Sequence, residues 1–210
     1  MSVFASFLLT SVISRFGDRQ GVKRHLDDFV HAASVSVGKT TPGTMPIHVV
    51  FSTFTGGGKR AMIERNTRRC WDSLSFRVHT AWFNSELDKN AQGTPILGAM
   101  YREAMRRNPG ADTYTYVNGD ILVDDGFVAT ADAVVFAVRE RKIKPRFLVV
   151  GQRTNVNWKG RGDFKPELFD KYFHAGALFV SNAQDYFMVS KTSFDWDKIP
   201  PFVIGRPGYD

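Results

Sequence analysis

Cysteine is almost missing from this chain: of 210 residues, Cys70 alone carries a thiol. One cysteine excludes an intrachain disulfide and fits a reducing compartment. Cys70 falls on an apolar helical stripe, which marks it as a core residue rather than a catalyst. Long apolar runs are also lacking. The opening MSVFASFLLTSVISRF is apolar but too short to span a bilayer, and it has neither the basic leader nor the small-residue cleavage site of a signal peptide. The expectation is a cytoplasmic chain with no transmembrane segment. There is no internal repeat and no low-complexity tract, so nothing points to a solenoid or a disordered protein.

A Walker A loop is lacking as well. TFTGGGKR has the right setting for a phosphate cradle, between an expected strand and an expected helix. Thr53, however, stands where the first glycine is required, and Arg60 where a serine or threonine is required. That argues against a P-loop kinase or ATPase. What remains is a glycine-rich turn at which Thr53 and Phe54 could meet a base and Lys59 or Arg60 a diphosphate. A plain flexible loop accounts for the same residues.

Charge is unbalanced. Lys and Arg number 28 against 21 Asp and Glu, a formal net charge of +7. Arg65, Arg68 and Arg69, then Arg102, Arg106 and Arg107, then Arg139, Arg141, Lys142 and Lys144 form local clusters on the polar faces or ends of expected helices. No nucleic-acid-binding motif accompanies them, and no nucleic-acid partner is expected. A small phosphorylated substrate or an anionic surface explains the balance as well.

Against these absences stands an alternation of strand-like and helix-like segments. Residues 47–54, 76–83, 113–118 and 146–152 are rich in β-branched and aromatic side chains and read as strands. Apolar stripes between them, through Met62/Ile63, Cys70 and Leu74, through Ile96, Met100 and Ala104, and through Phe127, Ala131, Val134/Val135 and Val138, read as helices. Asp125 is the expected N-cap of the last. Such repetition predicts an α/β domain whose mostly parallel sheet has helices on both faces. A hydrophobic content of 43% supplies the core. Residues 1–44 are expected to form a helical segment packed on that core. Their second part is an amphipathic stretch with Val22, Leu26, Phe29, Ala33 and Val37 on one side, stopped by Gly38. GKTTPGTMP is a connector, and the core begins near Met45.

The most informative motif is TYTYVNGDILVDD, where a β-rich run ends in Asn118-Gly119-Asp120. A divalent magnesium or manganese ion prefers hard oxygen ligands and takes only one or two carboxylates from protein. Asp120 would supply a charged oxygen and Asn118 a neutral one, while Gly119 allows close backbone approach. Asn, Gly and Asp are also common turn formers. In parallel sheets, though, ligands gather outside the carboxyl ends of the strands, where Asp120 would lie.

The first strand with its glycine-rich turn, TYTYVNGDI, FLVVGQRTNVNW, HAGALFVSNAQDYFMVSK and WDKIPPFVIGRPGYD together resemble the nucleotide-sugar-binding domain of GT-A glycosyltransferases. More narrowly they resemble the first domains of the multidomain glycosyltransferases of chlorella viruses. The likeness covers roughly residues 45–210. It implies a GT-A, Rossmann-like catalytic domain, part of a longer polypeptide with further domains. It also implies a UDP-sugar donor, with rhamnose or glucose as the sugar, a Mn2+ or Mg2+ cofactor, and transfer to the hydroxyl of a glycan acceptor. For viral relatives the glycan is that of the capsid protein, made in the host cytoplasm.

The resemblance further implies site residues. Asp120 would carry most of the metal function, with Asn118 standing where a first Asp is usual and His174 completing the shell. Arg153 and Arg206 would grip diphosphate, and Asp185 would act on the acceptor hydroxyl. Trp158 and Trp196 suit either sugar stacking or core packing, Asp185 suits a turn acid equally well, and a lone His174 ahead of a strand is more often structural than a ligand. A sugar-nucleotide pyrophosphorylase and a noncatalytic module for glycan or anionic surface remain as alternatives.

Overall fold

In a computed structural model of the chain the described residues are 45–53, 60–83, 87–156, 165, 171–172, 175–179 and 184–204, with the backbone alone described at 5–6, 10–11 and 59. The elements run β1 (Ala5–Ser6), β2 (Thr10–Ser11), β3 (His48–Ser52), α1 (Lys59–Asp72), β4 (Val78–Trp82), α2 (Leu97–Arg107), β5 (Thr113–Val117), α3 (Asp125–Arg139), β6 (Leu148–Gly151), β7 (Thr154–Asn155), β8 (Ala177–Leu178) and β9 (Tyr186–Val189). Each core strand expected from β-branched and aromatic runs is present, shortened at its ends.

A six-stranded sheet has the order β2-β6-β9-β5-β3-β4. β4 and β5 flank β3 in parallel, and β6 shares their direction because both β6 and β5 pair antiparallel with the β9 between them. β2 closes the far edge against β6, also antiparallel. The sheet is therefore mixed, a parallel set with β9 and β2 reversed. β1, β7 and β8 form a small second sheet in the order β1-β7-β8.

Successive side chains on a strand point to opposite faces, and here both faces are covered. Val50, Val117, Val149 and Met188 enter one core beneath Ile63, Cys70 and Trp71 of α1 and Phe127, Ala131 and Val134 of α3. Val49, Phe51, Tyr114, Tyr116 and Val189 enter the other beneath Leu97, Met100, Tyr101 and Ala104 of α2. Double burial explains why β3 and β5 read as unbroken apolar and aromatic runs rather than as alternation. Tyr101 packs edge-on against Phe51 at 4.8 Å and stacks on Trp196 at 4.1 Å, which places Trp196 in the core.

The amino end of the parallel strands is fastened by a buried polar cluster. His48, with no exposed surface, sits between Thr113 Oγ1 through Nδ1 and Asp132 Oδ1 through Nε2, both at 2.9 Å. Arg77 donates to both Asp132 oxygens, at 2.7 and 2.8 Å. These contacts join the starts of β3, β4 and β5 to α3. Burial pushes the Asp132 carboxyl up, but hydrogen bonds from Arg77 and His48 outweigh it and hold the group below the usual Asp range.

Two expectations are corrected. The N-cap of α3 is Asp124, whose extended backbone lets its side chain accept from the Phe127 N–H at 3.2 Å, while Asp125 is the first helical residue. Ala5–Ser6 and Thr10–Ser11 are strand rather than the expected helix, because pairing with β7 and β6 satisfies backbone groups that those strands would otherwise leave open. The amphipathic stretch through Phe29 lies outside the described residues. Among the described residues no helix is long and apolar enough to cross a membrane.

Candidate functional site

β4 and β5 lie on opposite sides of β3, so the direction of winding reverses between β3 and β5. Outside the carboxyl ends of the strands, such a reversal is where α/β sheets take their ligands. Thr53 leaves β3 on one side of this point, half-buried, and Asn118, Gly119 and Asp120 leave β5 on the other.

Asn118 is held at both ends of its amide. Nδ2 donates to Asp185 Oδ1 at 3.0 Å, and Oδ1 accepts from the Tyr116 hydroxyl at 2.9 Å. Its backbone N–H donates to the Asp185 carbonyl at 3.1 Å, and the Asp185 N–H donates to the Gly151 carbonyl at 2.9 Å. The ends of β5 and β6 and the start of β9 are thereby laced together.

Arg153, just beyond β6, joins the same cluster. Nη1 donates to Asp185 Oδ1 at 2.6 Å, Nε donates to Asn155 Oδ1 at 2.8 Å, and the guanidinium lies over the Phe179 ring at 4.0 Å. Asp185 is 2% exposed, and its Oδ2 has no hydrogen-bond partner among the described residues. Gly151 makes the arrangement possible, since a Cβ there would lie 1.8 Å from the Tyr186 ring.

Asp120 is exposed where the chain leaves β5. Burial pushes its carboxyl up. Its own backbone N–H and the cations Arg153 and Arg60 pull it down, the Asp185 carboxylate pushes up, and the net direction is upward. Asp120 thus feels the charges of Arg153, Asp185 and Arg60 at this edge of the sheet.

The residues suit a hard divalent cation in a limited sense. Among the described residues no group of three or more His, Cys, Asp or Glu side chains converges. Mg2+ and Mn2+ need only one or two protein carboxylates when water and phosphate complete the shell. Asp120, exposed at the end of β5, can meet that demand, whereas Asp185 is enclosed and the Asn118 oxygen is already engaged by Tyr116.

The structure therefore brings together Asn118, Arg153 and Asp185 by hydrogen bonds, with Asp120 two residues beyond Asn118 and within reach of the charges of Arg153, Asp185 and Arg60. The acceptor-side role read for Asp185 asks for a carboxylate open to an incoming hydroxyl, whereas the side chain found here is enclosed and engaged. Phe54, His174, Arg206 and Trp158 lie outside the described residues, as does the side chain of Lys59. Sequence reasoning missed Tyr116, although two residues before Asn118 on a strand is the same face. It also missed Gly151, whose role depends on a ring from a distant strand. Comparison of the chain with protein-family models, with curated proteins and with solved structures finds no significant match.

Proposed function

We propose that the carboxyl edge of the sheet binds a nucleoside diphosphate-sugar and that the domain is a metal-dependent glycosyltransferase of the GT-A type. The donor would be a UDP-sugar, with rhamnose and glucose as candidates, and the acceptor a glycan hydroxyl. The observation that carries this reading is the Asp185–Arg153 ion pair, hydrogen-bonded to Asn118 two residues before Asp120, at the winding reversal between β3 and β5. A carboxylate beside a guanidinium suits a metal-diphosphate better than it suits a bare anion, which the carboxylate would repel.

In this reading Asp120 is the ligand for Mg2+ or Mn2+, and Asp185 positions the loop that carries it. The bound cation would neutralise charge that develops on the departing nucleoside diphosphate. Arg153, preset by Asp185, Asn155 and Phe179, would direct its guanidinium at diphosphate oxygens. Arg60, at the amino end of α1, adds positive charge where the helix dipole already favours an anion. Asn118 and Asp185 hold these groups in register and exclude alternative side-chain positions.

The test is incubation of the chain with a panel of UDP-sugars and Mn2+, with and without glycan acceptors, and detection of free UDP. Metal-dependent UDP release stimulated by one acceptor is the expected result. Pyrophosphate release from a nucleoside triphosphate and a sugar phosphate would assign the site to a pyrophosphorylase instead. Turnover in neither assay, together with no binding of UDP, would remove the nucleotide-sugar reading.

A further inference from the structure

The amino end of the parallel strands, remote from the site above, carries a prominent exposed aromatic. Phe76 is 91% exposed. It occupies the tip of a tight turn in which the Val78 N–H donates to the Ser75 carbonyl at 2.8 Å. The next side chain, Arg77, turns inward to clasp both oxygens of Asp132. Anchoring Arg77 in this way directs Phe76 outward, so the ring is displayed by a fastened turn. Met45 and Ile47, leading into the neighbouring β3, are 44% and 36% exposed and extend the apolar surface.

Cations accompany it at the same end of the sheet. Arg69, Arg106, Arg107 and Arg139 lie in the last turns of helices that finish there, where the helix dipole favours them, and Arg106 and Arg107 pair with Glu103 and Arg139 with Asp112. The connection from α3 to β6 is different. Arg141, Lys144 and Arg146 are exposed on it, outside any helix, and the nearby acids are committed elsewhere, Glu140 to Lys142 and Asp112 to Arg139. Among the described residues these cations have no acidic partner. Arg141 also holds φ at 60° where it closes α3, with the Lys142 N–H donating to the Ala137 carbonyl and the Arg141 N–H to that of Val138. Glycine is the favoured residue in such a closure, so an arginine there carries a conformational cost.

With the strand order β6-β9-β5-β3-β4, about 4.8 Å between neighbours puts these cations and Phe76 on the order of 19 Å apart along one end of the sheet. An apolar tip on one side of this end and unpaired cations on the other together make the chemistry of a bilayer interface, where aromatic side chains enter the acyl boundary and Lys and Arg meet anionic headgroups. A soluble polyanion would use the cations and leave Phe76, Met45 and Ile47 in water. We propose that this end of the domain docks on an anionic lipid bilayer. The carboxyl-edge site would then face away from the lipid and stay open to soluble ligands.

Co-sedimentation of the full chain with phosphatidylcholine vesicles, with and without phosphatidylserine, tests this. Binding to the phosphatidylserine vesicles alone is expected, weakened as added salt screens the cations. Phe76→Ser should weaken it by roughly ten- to a hundredfold, the worth of one buried Phe side chain. Lys144→Glu combined with Arg146→Glu should weaken it comparably. All three side chains are exposed, so unchanged melting temperatures will show that the variants fold. The proposal is overturned by no binding to phosphatidylserine vesicles at low salt, by binding indifferent to either set of substitutions, or by retention on a single-stranded oligonucleotide without vesicle binding.

Discussion

Asn118 and Asp185, 67 positions apart in sequence, meet through a hydrogen bond of 3.0 Å from Nδ2 to Oδ1, and the same carboxylate oxygen accepts from Arg153. One buried acid thus fixes the loop that carries Asp120 and the cation proposed to meet diphosphate. Asp185 is on this evidence a positioning residue in the proposed site.

Asp185→Ala should therefore destabilise the fold by about 2–3 kcal/mol, the worth of hydrogen bonds to a charged group, read from the urea midpoint. Asp185→Asn should weaken UDP binding in the presence of Mn2+ along with stability. A well-folded Asp185→Asn protein with native UDP affinity and transfer reduced ~10²- to 10⁴-fold would restore the acceptor-side role instead.

Gly151→Ala should cost about 1–3 kcal/mol, since the new methyl would overlap a ring whose nearest atom is 1.8 Å away. Tyr186→Ala made in that background should recover part of the loss relative to the sum of the single changes. Strict additivity in this double-mutant cycle would show that the ring is not what excludes a side chain at position 151.

The α/β architecture was legible because its signals are local. Strands buried on both faces read as runs such as HVVFS and TYTYV, and each helix keeps its own apolar stripe. The reversal of β9 was not legible, since strand direction depends on pairing partners that no local pattern names. Asn118 and Asp120 were visible as a motif, but their partners Asp185, Arg153 and Gly151 come from distant strands and meet only in the fold. Asp132 left a faint signal, an acid between Val128 and Val135 on the buried side of α3, and its meaning waited on Arg77 and His48.

Asp132 anchors the amino end of the sheet, so Asp132→Ala, which strands His48 and Arg77, should cost about 3–5 kcal/mol. Its folded pKa lies below the unfolded value, so its contribution is present above the ordinary Asp range near ~3.9 and is lost as pH falls through that range. Melting temperature followed against pH should fall more steeply on the acid side in the wild type than in Asp132→Asn. Identical acid limbs would contradict the cluster's role.

Cys70 is buried with its Sγ donating to the Val123 carbonyl at 3.1 Å, and burial pushes the thiol up to about 12. A thiol with a raised folded pKa contributes stability that is complete below the unfolded value near ~8.5 and is lost as pH rises toward the folded one. Labelling with a thiol reagent at mildly alkaline pH should therefore proceed no faster than global unfolding. Rapid stoichiometric labelling of the native chain would show that the site is open.

The most direct measurement of the account is calorimetric titration of UDP into the chain with and without Mn2+, for the wild type and for Asp120→Asn. Wild type should bind UDP in a Mn2+-dependent manner, and that dependence should fade as pH drops through a value above the usual Asp range, because a protonated Asp120 cannot serve as a ligand. Asp120→Asn should keep its melting temperature and lose the dependence on Mn2+. Equal Mn2+-dependent affinity in both proteins, or no UDP binding by a folded wild type, would contradict the proposal that Asp120 joins a metal to the donor diphosphate.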